Sequence, residues 1–154
     1  MTKIQKPLVI GLGNSLRGDD GFGVLAAGKL MDREDIDCQV LHGNATEILA
    51  TWQGYEKVLI LDAIDVKGET PGTLREINLK KEAPPVRFFK SSSHGMGIYE
   101  ALELGKALDD CPQELRMIGV VAIQFDIGAC LSPQVSQSIE PTLTLCNKIL
   151  SSWT

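Results

Sequence analysis

Short apolar runs alternate with segments of helical periodicity along most of the chain, and this alternation constrains the fold more than any other feature. Five segments have the pattern of strands: 7–12, 38–41, 57–62, 73–78 and 116–124. Four have the pattern of helices: about 20–31, 45–52, 95–108 and 133–150. Strands joined by helices form a mostly parallel sheet covered on both faces, so the sequence predicts an α/β fold.

Two local signals refine these elements. The segment 73–78 alternates between apolar and polar residues, which predicts an antiparallel edge strand with one exposed face. The last helix is predicted to start after Ser132 as N-cap, with Pro133 at its first position. Pro141 lacks an N–H group, so we expect it to kink that helix.

Composition sets the class of protein. A chain of 154 residues with 44% hydrophobic and 23% charged residues is expected to form one domain over 1–154. Its net charge of -5 argues against a general binder of nucleic acid or of anionic membranes. The first apolar run ends after about six residues, too short for a signal peptide or a membrane span. The cysteines form no CxxC pair and predict a reduced, cytoplasmic protein: Cys38, Cys111, Cys130 and Cys146.

The loop GLGNSLRGDDGFG, residues 11–23, lies between the first strand and the first helix, where α/β proteins often bind phosphate. Its third fingerprint position is Leu16 rather than glycine, and it carries Asp19 and Asp20. Two like charges about 4 Å apart repel by ~4 kcal/mol at an effective dielectric near 20, so a phosphate is disfavoured and a cation is favoured. The alternative interpretation of Asp20 is a helix N-cap, and the same alternative applies to Asp19, which we take as a supporting residue.

Two further residues carry metal-binding chemistry. Asp62 follows the apolar residues 58–61, where the strand is expected to end; it alternatively caps a turn, and Asp65 is the rival carboxylate. His94 lies in the loop SSSHGMG, and neutral imidazole is a preferred ligand for nickel, zinc and copper. Together with Asp20, these residues form a set of three ligands that leaves coordination positions open.

Nucleophilic catalysis has weaker support. Ser91, Ser92 and Ser93 precede His94, but neighbours in sequence rarely act as nucleophile and base, and the chain has no GxSxG elbow. No cysteine stands beside a histidine, so a cysteine nucleophile requires a tertiary contact that the sequence does not reveal.

The segments GLGNSLRGDDGFG, ILDAID and SSSHGMG, in this order and spacing, resemble the [NiFe]-hydrogenase maturation proteases. The resemblance runs from residue 7 to about 150 and includes the late LSPQV. It implies a three-layer α/β/α sandwich around a twisted, mostly parallel five-stranded sheet. It also implies an endopeptidase that removes the carboxyl-terminal extension of a hydrogenase large-subunit precursor, which is the expected partner.

The same resemblance implies that Asp20, Asp62 and His94 recognise nickel, and they are also the candidate catalytic residues. The nickel is expected to arrive on the precursor, and cadmium or zinc is expected to substitute for it in a crystal. Some relatives carry glutamate where this chain has Asp20, which alters the distance to the metal but not the type of ligand.

One loop departs from the family pattern. Where many relatives have an Asp-Gly-Gly turn after the second strand, this chain reads LHGNATE over residues 41–47, so His42 is a plain turn residue, a specificity residue or an extra ligand. Two other functions remain as alternatives: a non-catalytic nickel-binding chaperone, and a nucleotide-binding or flavin-binding α/β module.

Overall fold

The computed structural model describes residues 3–85 and 97–154. These residues contain five strands: β1 Leu8–Leu12, β2 Asp37–Leu41, β3 Lys57–Ile64, β4 Leu74–Asn78 and β5 Glu114–Val121. They also contain five α-helices: α1 Phe22–Gly28, α2 Ala45–Trp52, α3 Gly97–Ala107, α4 Pro133–Gln137 and α5 Ile139–Ser152. A short 3₁₀ helix over Gly18–Gly21 precedes α1.

The strands form one sheet in the order β2-β1-β3-β5-β4. All neighbours are parallel except β4, which pairs antiparallel with β5 at the edge. The predicted α/β fold with a mostly parallel five-stranded sheet is therefore confirmed, including the antiparallel edge strand. No helix within residues 3–85 and 97–154 is both long and apolar enough to cross a membrane.

Helices cover both faces of the sheet because alternate strand residues point to opposite sides. In β1, Leu8 and Ile10 pack in a cluster with α2 and α3, whereas Val9 packs in a second cluster with α1, α4 and α5. All three side chains are fully buried. The central strands are thus apolar on both faces, which is why they read as continuous apolar runs in the sequence.

The glycines of the first loop bring α1 close to the sheet. A Cβ atom on Gly11 would lie 2.3 Å from the Gly23 carbonyl oxygen, and one on Gly23 would lie 2.3 Å from the Leu12 carbonyl oxygen. Backbone therefore fills the space that a side chain would need. These glycines serve helix–sheet packing, which explains a glycine-rich loop that does not have the full dinucleotide fingerprint.

The observed ends of α1 and β3 differ from the predicted ones. The first helix ends at Gly28 rather than near 31, because the following amides bond three residues back: Leu30 N donates to Ala27 O at 2.9 Å. Such tightening is common at helix ends. The strand β3 runs to Ile64 instead of ending at Asp62, since its pairing with β5 continues to Val121.

The predicted kink at Pro141 is wrong in position. The last helical segment is divided at Ser138, between α4 and α5, and Pro141 lies in the first turn of α5. A proline ring clashes with the carbonyl group four residues earlier, here that of Gln137, so a continuous helix has to break before the proline. In the first turn of α5 the missing N–H group costs nothing, because it would have no partner within that helix.

Candidate active site

Two buried aspartates lie at the carboxyl edge of the parallel strands. The 3₁₀ helix that contains Asp20 follows β1 and contacts β3, the strand that contains Asp62. Just beyond it, Gly23 approaches both strands, since a Cβ atom there would lie 2.4 Å from the Leu61 carbonyl oxygen, one residue before Asp62. Asp20 and Asp62 thus reach the same edge from separate segments, at the place where open α/β sheets bind ligands.

Asp20 is fully buried and is held by the loop that precedes it. Its Oδ2 atom accepts a hydrogen bond from Asn14 N at 3.0 Å, and its own N–H donates to Arg17 O at 3.1 Å. Gly13 has a φ of 141° and no room for a side chain, because a Cβ atom would lie 1.9 Å from Asp20 O. The N-cap residue of α1 is Gly21, so the alternative reading of Asp20 as that cap is wrong.

Asp62 is also fully buried, and it lies inside β3 rather than at its end. Its Oδ1 atom accepts from the Ala63 amide at 2.8 Å, and its partner in β5 is Gly119. It has the same parity along β3 as Ile60 and Ile64, which belong to the cluster with α2 and α3. The carboxylate therefore belongs to the α3 face of the sheet, and not to a turn cap as the alternative reading had it.

The rival carboxylate differs from Asp62 in its surroundings. Asp65 follows the end of β3 and is only half-buried. The structure therefore distinguishes these two acids by burial and by position, which makes Asp65 a useful control for experiments on Asp62.

Asp19 is a residue whose function the sequence did not reveal. It is fully buried, and its carboxylate accepts four hydrogen bonds from a distant segment. Ser132 N donates to Oδ1 at 2.6 Å, whereas Ser132 Oγ, Ile123 N and Gln124 N donate to Oδ2 at 2.9, 3.0 and 3.1 Å. Ser132 occupies the N-cap position of α4, as predicted, but its hydroxyl bonds Asp19 instead of capping the helix. No local pattern signals contacts across more than a hundred residues.

The loop around His42 lies beside the start of α3. A Cβ atom on Gly97 would lie 1.7 Å from Gly43 O, so this loop and α3 are in close backbone contact. His42 itself is exposed, and Asn44 caps α2 by accepting from Glu47 N at 2.9 Å. His94, together with the serines before it, lies outside the described residues, so its predicted role stays a prediction.

The cysteines give little support to thiol catalysis. Burial raises the pKa of the Cys38 thiol to about 11 and that of the Cys146 thiol to about 12. Burial also raises the pKa of Cys111. Because the thiolate is the nucleophile, the raised pKa of these three groups lowers their reactivity near neutral pH. All four cysteines, including the exposed Cys130, are free thiols.

The residues that the structure describes do not complete a metal site by themselves. Within 3–85 and 97–154, no three His, Cys, Asp or Glu side chains are grouped so that they could hold one metal ion. Asp20 and Asp62 are carboxylates, which are common ligands of divalent ions, but any complete set would need a further donor from outside these ranges or from a bound substrate.

Comparison with known proteins identifies the family. A sequence model described as hydrogenase maturation protease (HycI) matches residues 39–149. The chain belongs to the hydrogenase maturation proteases. Among its relatives, the hydrogenase expression/formation protein HupD of Thiocapsa roseopersicina is 33% identical over 152 residues, covering 94% of this chain and 67% of the relative. The hydrogenase 2 maturation protease of Escherichia coli K12 is 29% identical over 140 residues, covering 88% of this chain and 85% of that protein.

Solved structures agree with this family assignment. The hydrogenase maturating endopeptidase HybD from Escherichia coli superposes with a TM-score of 0.79 at 26% identity, over 96% of this chain and 93% of that one. The [NiFe] hydrogenase maturation protease HybD from Thermococcus kodakarensis gives a TM-score of 0.70 at 28% identity, over 94% and 99% of the two chains. This maturation protease is therefore a peptidase with the fold of its family, as the sequence predicted.

Proposed function

We propose that this protease removes the carboxyl-terminal extension of a [NiFe]-hydrogenase large-subunit precursor after nickel has been inserted, and that Asp20, Asp62 and His94 recognise the nickel on the precursor. The observation that carries the proposal is the placement of two fully buried carboxylates, from separate segments, at one edge of the sheet. Family membership supports the precursor as substrate.

The chemistry favours a metal that arrives with the substrate. Two carboxylates and one imidazole leave coordination positions open, so they hold a free ion weakly but can complete the coordination shell of an ion that the precursor already holds. Docking of that ion would then place the scissile bond beside Asp20 and Asp62. The protease would cleave only a precursor whose metal site has been filled.

The alternative functions have less support. A nucleotide or flavin is disfavoured because the glycine loop carries two carboxylates, Asp19 and Asp20, which would repel its phosphate groups. A non-catalytic nickel chaperone is disfavoured by membership in a family of peptidases. The free thiols of all four cysteines support the proposal of a cytoplasmic location.

The test compares nickel-loaded with nickel-free precursor, incubated with the purified protease and analysed by mass spectrometry for loss of the extension. We expect cleavage of the nickel-loaded form alone. Equal cleavage of both forms would contradict nickel recognition, and cleavage of neither would contradict the assignment of the substrate.

Variants of the three residues have matched controls in the same chain. Asp20→Asn, Asp62→Asn and His94→Ala should abolish processing while thermal unfolding remains cooperative. Asp65→Asn controls for Asp62, and His42→Ala controls for His94, because these are the only two histidines. If His42→Ala abolishes processing and His94→Ala does not, the histidine ligand has been assigned to the wrong loop.

A further inference from the structure

Backbone hydrogen bonds, in addition to those of the Asp19 carboxylate, bind the segment 122–132 to the loop that carries Asp20. The Asp19 N–H donates to Gln124 O at 2.6 Å. Gly18 N donates to Ala129 O at 3.1 Å, and Gly128 N donates to Leu16 O at 2.7 Å. The side chain and the backbone of Asp19 therefore join the 3₁₀ helix to the segment that leads from β5 to α4.

The Asp19 carboxylate accepts hydrogen bonds within the protein at both of its oxygens. Ser132 N bonds Oδ1, whereas Ser132 Oγ, Ile123 N and Gln124 N bond Oδ2, so most of the roughly four lone-pair sites of the carboxylate are occupied. Hydrogen bonds to a charged acceptor are about twice as strong as neutral ones, so this arrangement is well held. Asp19 is thus committed to the protein itself and is unsuited to bind a metal ion or a substrate.

These bonds link Asp20 to Asp62 through the fold. Asp62 is paired in register with Gly119 of β5, and β5 leads within a few residues to Gln124, whose amide and carbonyl groups both bond Asp19. Asp19 is covalently attached to Asp20. The position of the Asp20 backbone relative to Asp62 is therefore set by β5 as well as by the direct contact between the 3₁₀ helix and β3.

We propose that Asp19 is a positioning residue, which holds Asp20 at the geometry needed to act together with Asp62 by anchoring the 3₁₀ helix to the segment after β5. This inference rests on the proposed function, because it takes Asp20 and Asp62 to recognise the nickel on the same precursor. It assigns different roles to two neighbouring acids that the sequence alone cannot tell apart.

The test is Asp19→Asn, which keeps the shape of the side chain but points an amide N–H₂ group at N–H donors. Loss of a contact that binds substrate and transition state equally raises KM and leaves kcat unchanged, so we expect kcat/KM on nickel-loaded precursor to fall by about 10-fold to 100-fold, through a rise in KM. The measurement is made well below the melting temperature of the variant. KM should rise, because Asp20 would no longer meet the nickel correctly.

A purely structural role would give a different result. Partial unfolding lowers the concentration of active enzyme, which reduces the apparent kcat and leaves KM unchanged. An unchanged KM with a reduced kcat would therefore overturn the inference, and so would unchanged kinetics.

A milder pair of variants covers the case in which Asp19→Asn does not fold. Ser132→Ala removes one hydroxyl bond to Asp19, whereas Ser138→Ala removes the hydroxyl bond of another buried serine, to Val135 O at 2.6 Å. Ser132→Ala should raise KM, Ser138→Ala should not, and Ser132→Thr, which keeps a hydroxyl group, should restore the wild-type value. Equal KM values for the two alanine variants would overturn the inference.

The same experiments separate this inference from the proposed function. If wild-type protein does not cleave the nickel-loaded precursor, or if Asp20→Asn cleaves it at the wild-type rate, the proposed function fails. If both behave as proposed while the Asp19 and Ser132 variants keep the wild-type KM, only the positioning role of Asp19 fails.

Discussion

Replacing Gly23 by alanine should destabilise the protein, although alanine favours helices. Gly23 is buried in α1, and its Cβ atom would lie 2.3 Å from Leu12 O and 2.4 Å from Leu61 O. Carbon and oxygen atoms do not approach this closely without a shift, and both oxygens belong to strand backbone, so α1 would have to lift from β1 and β3 together. Overpacking of this kind typically costs about 1 to 3 kcal/mol. Because two backbone groups are involved, we expect the upper part of that range.

The same helix offers a matched control. Gly28, the last residue of α1, is exposed, and no atom lies within 4 Å of the position that a Cβ atom would take there, so Gly28→Ala should be neutral or should stabilise by about 0.5 to 1 kcal/mol. The assay is urea denaturation, with the midpoint and the m-value compared between the variants. A loss of about 2 to 3 kcal/mol corresponds to a fall in Tm of about 4 to 12 °C for a chain of this size. Stabilisation of both variants would refute the argument that Gly23 serves close packing.

Two further predictions concern ionisable groups. Two causes raise the pKa of Tyr55 to about 12: burial, which is the larger, and the hydrogen bond that its hydroxyl group donates to Asp37 Oδ2 at 2.7 Å. The folded state thus favours the neutral phenol, so this stabilisation is present below about pH 10 and is lost as the pH rises from about 10 to 12. Tyr55→Phe should flatten the dependence of the unfolding free energy on pH in that range. An unchanged slope would contradict the raised pKa of Tyr55. In the variant Cys130→Ser, a chromogenic thiol reagent should react slowly at about pH 7, because burial raises the pKa of the other three thiols and keeps them protonated. Rapid release of one full equivalent of the reagent's chromophore would contradict this prediction, because it would show an accessible thiolate.

Local patterns in the sequence determined the class of fold and most of its elements. The helix α2 spans the predicted residues 45–52, and the predicted edge strand 73–78 is one residue longer than β4. Such segments are predictable because the period of their apolar residues, their caps and their turns all lie within a few positions in the chain. The break before α5 also has a local cause, because the ring of Pro141 acts on the carbonyl group four residues earlier and leaves Pro141 itself helical.

Tertiary structure alone decided what the acids of the first loop do. Asp19 and Asp20 are adjacent and equivalent in any local pattern, yet Asp19 bonds Ser132, 113 positions away, while Asp20 bonds Asn14 within its own loop. The extent of β3 beyond Asp62 was likewise set by its partner β5. A carboxylate takes its role from the donors that surround it, and those donors come together only when distant strands pair and the chain between them closes over the edge of the sheet.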